Sequence, residues 1–186
     1  MNVTIVNKGN NYRVASIEGA HLIGRPGSLW RKFAGVPTDG GLKHQFTIEV
    51  DEEFVDILRS LNLEPKHYEK EGYDPFWYLT ISLSWRFRDP EVYTIAYNMV
   101  KSKETEQTIG DLDQNSNVQF IDLEVAASHY NSHGREGYTA YGSNVYIYLG
   151  APSLSEQRYL ERCGINVEAG QGELPGMPDT DEDVPF

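Results

Sequence analysis

Two aromatic rings bracket two cations in Trp30-Arg31-Lys32-Phe33. Flat ring faces suit stacking on unpaired bases, and neighbouring cations suit neutralising the phosphates between them. Each stacked base contributes roughly 1–3 kcal/mol with little regard to its identity. A competing reading makes Trp30 and Phe33 plugs of a barrel mouth and leaves Arg31 and Lys32 solvated. Lys43 and His44, entering a strand after a Gly-rich loop, are candidate phosphate contacts.

Further rings and cations recur at strand spacing. From Phe76 to Phe87 apolar Trp77, Leu79, Ile81, Leu83 and Trp85 occupy one face. Tyr78, Ser82 and Arg86 take the other, polar face, with Arg88 just beyond, so these are groove candidates while Trp77 and Trp85 read as core. Tyr93 and Tyr97 share a face with Ile95 and Met99, which suits a core or a stacking platform equally. Tyr146 and Tyr148 oppose Val145, Ile147 and Leu149, so they are candidates for base stacking or for contact with another subunit. Lys101 and Lys103 are weaker candidates, since Glu104 and Glu106 cancel much of their field.

A different chemistry closes the chain. Asp179, Asp181, Glu182 and Asp183 precede the apolar hook Val184-Pro185-Phe186, and no Lys or Arg follows Arg162. So polar a Gly/Pro-rich segment buries too little apolar surface to offset its ordering entropy, and disorder is expected over 166–186. An acidic tether with an aromatic tip suits a basic groove with a small pocket, either on this chain or on a partner protein. The alternative is a solvated tail that aids solubility alone.

The formal charge of −12 argues against a polyanionic partner only if it is evenly spread. It is not. Residues 1–103 hold thirteen acids and thirteen bases, 104–165 hold nine and three, and the stretch from Glu168 holds six acids and no base. A basic groove on an acidic chain is therefore permitted. The single Cys163 excludes an internal disulfide and agrees with a reducing compartment. No run of apolar residues reaches the length of a membrane span, so a soluble, cytoplasmic protein without a membrane partner is expected. Enzymatic signatures are missing: no nucleophile elbow, no P-loop, and no dinucleotide fingerprint after a strand. His129 and His133 have zinc-like spacing without accompanying cysteines or an HExxH context. Neither catalysis nor a cofactor or metal is expected.

The elements that would position these residues are mostly strands. Val3–Val6 and Tyr12–Ile17 flank a turn-forming Asn7-Lys8-Gly9-Asn10-Asn11, which predicts a hairpin. His21 to Gly41 reads as an irregular loop. Gln45–Val50 alternates, Asp51 is expected to cap a helix reaching Leu61, and further strands are predicted over Phe76–Phe87, Val92–Val100, Val118–Val125 and Tyr138–Leu149. Ser153–Cys163 reads as a terminal helix. The pattern predicts one mainly-β domain over 1–165, an antiparallel OB-fold-type barrel with added hairpins and one or two short helices. A β-sandwich of the same content has the same periodicity.

Three blocks and the tail resemble a family of phage single-stranded DNA-binding proteins with an OB fold. The blocks are Trp30–Gly35 with Gln45–Ile48, Phe76–Ser84 with Pro90–Tyr93, and Val118–Val125 with Tyr130 and Gly137–Tyr141. The Pro185-Phe186 ending is similar to the acidic C-terminal peptide of bacterial and phage proteins of that function. Asp111–Asn115 departs from the Gly-Asn-Gly-Ser turn of many relatives. The resemblance implies largely sequence-independent binding of single-stranded DNA, protection of unpaired DNA in replication or recombination, and recruitment of replication and recombination proteins through the tail. A phage structural or assembly barrel joined through its Tyr-rich faces is the reading from another class, and an RNA-binding protein would share the same chemistry.

Overall fold

Among the described residues alternating apolar side chains build ten strands, and a ring of five of them encloses the core. The computed structural model describes residues 1–9, 12–24, 28–38, 41–86, 89–115, 117–132 and 134–151. The expected 153–163 helix and the tail lie outside the described residues.

The ring consists of β2 (Arg13–Ala20), β9 (Val118–Ser132), β10 (Arg135–Leu149), β6 (Phe76–Leu83) and β4 (Gly41–Val50). β2 pairs antiparallel with β9, β9 with β10, and β6 with β4, whereas β10 runs parallel to β6 through Ala140–Ile81 and Tyr141–Ser82. The chain leaving β2 then returns along β4. Leu22 bridges Ile48, Ile23 N–H donates to the Thr47 carbonyl (2.8 Å), and Glu49 N–H donates to the His21 carbonyl (2.9 Å). The bend that permits this return falls at Gly19, whose φ of 66° suits glycine and whose N–H donates to the Asp122 carboxylate at 2.7 Å. The result is the partly open five-strand ring of an OB-type barrel, with mixed rather than wholly antiparallel pairing.

Five further strands decorate the ring. β1 (Asn2–Asn7) forms the expected hairpin with β2, β3 (Arg31–Thr38) pairs with β4, and β5 (Lys66–Tyr68) pairs with β6. β7 (Glu91–Ile95) lies parallel to β10 and carries β8 (Lys101–Glu104) on its other edge. Ile17, Phe46, Ile48, Ile81, Ile121 and Ile147 are fully buried in the core, each contributing roughly 1.5–3 kcal/mol. Trp77 and Trp85 pack against that core, as their face predicts.

Several boundaries differ from the sequence reading. The central strand stops at Leu83 rather than Phe87, and the chain turns at Trp85–Arg86. The 92–100 run divides into β7, a turn through Met99 at φ 62°, and β8. The helix after Asp51 is a 3₁₀ turn (Glu52–Phe54) followed by only five residues of α1 (Val55–Arg59). Asp51 caps nothing with its side chain and instead pairs with the N-terminal ammonium at 3.4 Å. Eight residues of the expected 21–41 loop form the strand β3, where Pro37 is tolerated because no further strand among the described residues pairs with that edge.

Candidate nucleic-acid interface

The pleat of β4 and β6 decides which side chains face outward. Their register sets Gln45 opposite Ser82, Thr47 opposite Thr80 and Glu49 opposite Tyr78 on the outer face, with Phe46, Ile48, Leu79 and Ile81 inward. The Thr47 and Thr80 hydroxyls join across the pair at 3.1 Å. β3 adds Lys32 opposite Gln45, and β5 adds Lys66 opposite Tyr78 and Tyr68 opposite Phe76. Since paired residues share a face, Lys32, Lys66 and Tyr68 also point outward.

Four rings gather there. Trp30 meets Tyr78 edge-on at 4.9 Å between centroids and Tyr68 at 6.2 Å, while Tyr68 stacks on Phe76 at 5.0 Å. All four are half-buried, so each keeps accessible surface. Lys43 and Lys66 are exposed and Lys32 is half-exposed. The four rings gather with Lys66 at one end of this sheet face and Lys32 and Lys43 lie toward the other, with buried Thr47 and Ser82 between and Glu49 the one carboxylate of β4 on it. In an OB barrel this face, the second and third ring strands, and the loop joining the first two are where oligonucleotides bind.

Beneath this face lies the device that holds β3 in place. The β3–β4 register slips between Lys32 and Val36, which takes Phe33–Gly35 out of the ladder. The Asp113 carboxylate, from α2 (Leu112–Asn115), accepts the orphaned N–H groups of Phe33 (2.9 Å) and Ala34 (2.8 Å). Its Oδ1 also lies 3.9 Å from Arg31 Nε. The Phe33 carbonyl, which can only accept, takes the His44 Nδ1 proton at 2.6 Å, and His44 Nε2 faces Glu106 at 3.1 Å. Gly35, at φ +85°, is required in this bulge, because a Cβ would sit 2.9 Å from the His44 ring.

This geometry corrects three expected contacts. Phe33 is fully buried and stacks on Phe46 at 5.2 Å, so it is core rather than a stacking face. His44 is 1% exposed and committed to Phe33 and Glu106, not to a phosphate. Arg31, 3% exposed, turns inward because its neighbour Lys32 turns outward. Burial lowers the pKa of its guanidinium, and the Asp113 carboxylate opposes that shift.

The remaining expected residues divide. Trp30, Lys32, Lys43 and Tyr78 lie together on or beside the β4–β6 face. Arg86 is exposed in the turn after β6, and Arg88 lies outside the described residues. Tyr93, Tyr146 and Tyr148 belong to another face, that of β7, β10 and β9. Tyr93 stacks on Tyr146 at 5.5 Å with Lys101 Nζ 3.7 Å above the Tyr93 ring, and Tyr148 stacks on Phe120 at 4.3 Å. Burial, then the Asp122 carboxylate, raises the Tyr148 phenol above its ordinary pKa. Tyr97 is exposed in the turn between β7 and β8. Tyr68, Phe76 and Lys66 belong to this candidate face and Asp113 holds β3 beneath it, and sequence reasoning chose none of the four as a site residue. Phe76 carried a signal, since it shares the period-two face of Tyr78.

A groove of about 620 Å³ lies elsewhere, between β1–β2, β10 and the Asp89–Glu91 segment. Among its described lining residues Asp89, Glu91 and Glu124 stand against one cation, Lys8, which Glu124 pairs at 2.7 Å. Such a lining repels phosphate. Among the described residues no cluster of three metal-ligating side chains occurs, and no helix is long and apolar enough to cross a membrane.

The fold is similar to that of a C-terminally truncated single-stranded DNA-binding protein from bacteriophage Enc34, with a TM-score of 0.50 at 10% identity over 81% of this chain and 96% of that one. The untruncated Enc34 protein aligns with a TM-score of 0.49 at 9% identity (85% and 96% covered), and its complex with ssDNA with 0.49 at 10% (82% and 98%). No curated protein matches the sequence. A family model described as "Putative phage ssDNA-binding domain" matches residues 16–185, nearly the whole chain, and the chain belongs to that family.

Proposed function

We propose that this chain binds single-stranded DNA with little sequence preference on the outer face of β3, β4, β6 and β5, by binding alone, without cofactor or catalysis. The observation that carries the reading is the set of four half-buried rings, Trp30, Tyr68, Phe76 and Tyr78, flanked by Lys32, Lys43 and Lys66. The rings take the faces of unpaired bases, the ammonium groups take the phosphates, and a duplex, whose bases are already stacked, gains nothing from the rings. Membership of the phage family supports the same ligand. In the host-cell cytoplasm the protein would protect unpaired DNA during phage replication or recombination.

The acidic tail serves two roles in this reading. Free of DNA, Asp179–Phe186 competes for the cationic face as a mimic of the phosphate backbone. Once displaced, it recruits replication or recombination proteins through Val184, Pro185 and Phe186. The reading is tested by titrating labelled oligo-dT at two salt concentrations, with RNA of equal length as competitor. Binding that weakens steeply with salt and prefers DNA agrees with it; no binding at micromolar protein defeats it.

A further inference from the structure

We propose that the outer face of β8, β7, β10 and β9 joins two copies of this chain about a two-fold axis. This goes beyond the DNA reading and does not depend on it. Strand register lays the face out as a grid. One row reads Lys103, Tyr93, Tyr146, Asp122 across the four strands. The next row reads Lys101, Ile95, Tyr148, Phe120. With strands about 4.8 Å apart, the cations of β8 and the carboxylate of β9 stand at opposite ends of a row of about 14 Å. The rings between them are half-buried and stacked in pairs, Tyr93 on Tyr146 and Tyr148 on Phe120. Beside them is a depression of about 450 Å³, lined on the β8 side by Lys101 and on the β9–β2 side by Asp122 and Glu18.

The face suits another copy better than a second pass of DNA. Both a base and a partner ring must move the Lys101 ammonium, which lies 3.7 Å from the Tyr93 ring and 4.8 Å from Tyr146, so the acidic end of the row decides between them. Phosphates would also approach Asp122 and Glu18.

The charge layout selects one symmetry. A two-fold axis in the interface, parallel to the strands and between β7 and β10, exchanges β7 with β10 and β8 with β9. Tyr93 then meets the partner's Tyr146, Lys103 meets the partner's Asp122, and Lys101 meets the ring of the partner's Phe120. An axis across the strands would instead set Lys103 against the partner's Lys103 and Asp122 against the partner's Asp122. Only the first arrangement is self-complementary, as an isologous contact must be.

Sedimentation equilibrium of the full chain over a wide concentration range tests the proposal, with oligo-dT affinity measured in parallel. The expected result is a concentration-dependent dimer that Lys103→Glu weakens by about tenfold or more, because the new carboxylate faces the partner's Asp122. Asp122→Lys should weaken it likewise, and an equimolar mixture of the two variants should recover the dimer, which also shows that both fold. A single-chain mass at every concentration, or a dimer unaffected by Lys103→Glu, overturns the proposal. So does a loss of oligo-dT affinity in Tyr146→Ala at unchanged mass, which would make the face a DNA contact. Failure of the wild-type chain to bind oligo-dT would sink the DNA reading and leave the dimer standing.

Discussion

The Asp113 carboxylate accepts the Phe33 backbone N–H at 2.9 Å across eighty positions of sequence, and its second oxygen takes the neighbouring Ala34 N–H at 2.8 Å. Two donors stranded by the β3 bulge are thereby satisfied, and β3 is the strand that sets Lys32 on the outer face, next to Trp30. Asp113→Ala leaves both donors without their acceptor and removes the carboxylate that lies 3.9 Å from Arg31 Nε, at a cost of about 2–4 kcal/mol. Asp113→Asn keeps one acceptor and should lose less. Thermal unfolding orders the three proteins, and oligo-dT affinity should fall in the same order because the strand carrying Lys32 slips. An Asp113→Ala protein that is destabilised yet binds oligo-dT normally would separate the clamp from the interface.

Tyr78 and Tyr68 flank Trp30. Tyr78→Ala should weaken oligo-dT binding by about 1–3 kcal/mol, the worth of one stacked base. Tyr146→Ala, on the other face, should leave binding within about 0.5 kcal/mol of wild type. Anisotropy titrations of both variants decide it, and a reversed order would move the interface to the second face.

Lys32, Lys43 and Lys66 act through phosphates, so each alanine variant should weaken binding to oligo-dT and oligo-dA alike. Each should also flatten the log–log salt dependence by about 0.7, the value for one phosphate contact on a single strand. Titrations at four or so salt concentrations measure the slope. An unchanged slope in all three would show that these ammonium groups touch no phosphate.

Tyr148 carries a pH signature. Its folded pKa is raised by burial and then by Asp122, so the folded state holds this proton more tightly than the unfolded state does. The resulting stabilisation is complete below about pH 10, where the unfolded phenol keeps its proton, and is lost as pH climbs through the higher folded value. Urea midpoints at about pH 9 and about pH 11 should therefore drop more for wild type than for Tyr148→Phe. Equal drops would contradict it.

If the tail mimics the phosphate backbone, deleting residues 176–186 should tighten oligo-dT binding at low salt and matter less at high salt, where screening already weakens the tail. An affinity that falls or stays level would leave recruitment as its one role.

How much of this was legible in the sequence depended on pattern length. Phe76–Leu83 alternates long enough to assign both faces, and so Tyr78 outward and Leu79 and Ile81 inward were readable. β5 is three residues long, too short for any period, and Tyr68 and Lys66 were lost with it. Gly35 and Pro37 disguised β3 as loop, so the strand alternation that turns Arg31 and Phe33 inward and Lys32 outward was not readable. The parallel pairing of β10 with β6 and the return of Leu22 onto Ile48 are long-range events that local alternation does not encode. The departure at Asp111–Asn115 looked like a flaw in the resemblance; its Asp113 is the carboxylate that holds β3.

The most direct measurement uses the three tryptophans. Trp30 stands among the outer rings, whereas Trp77 and Trp85 pack on the core. Saturating oligo-dT should quench the intrinsic fluorescence of the wild-type chain, and Trp30→Phe should abolish most of that quenching while retaining measurable binding. Quenching of equal size in Trp30→Phe would place the bases away from this ring cluster and contradict the assignment of the interface.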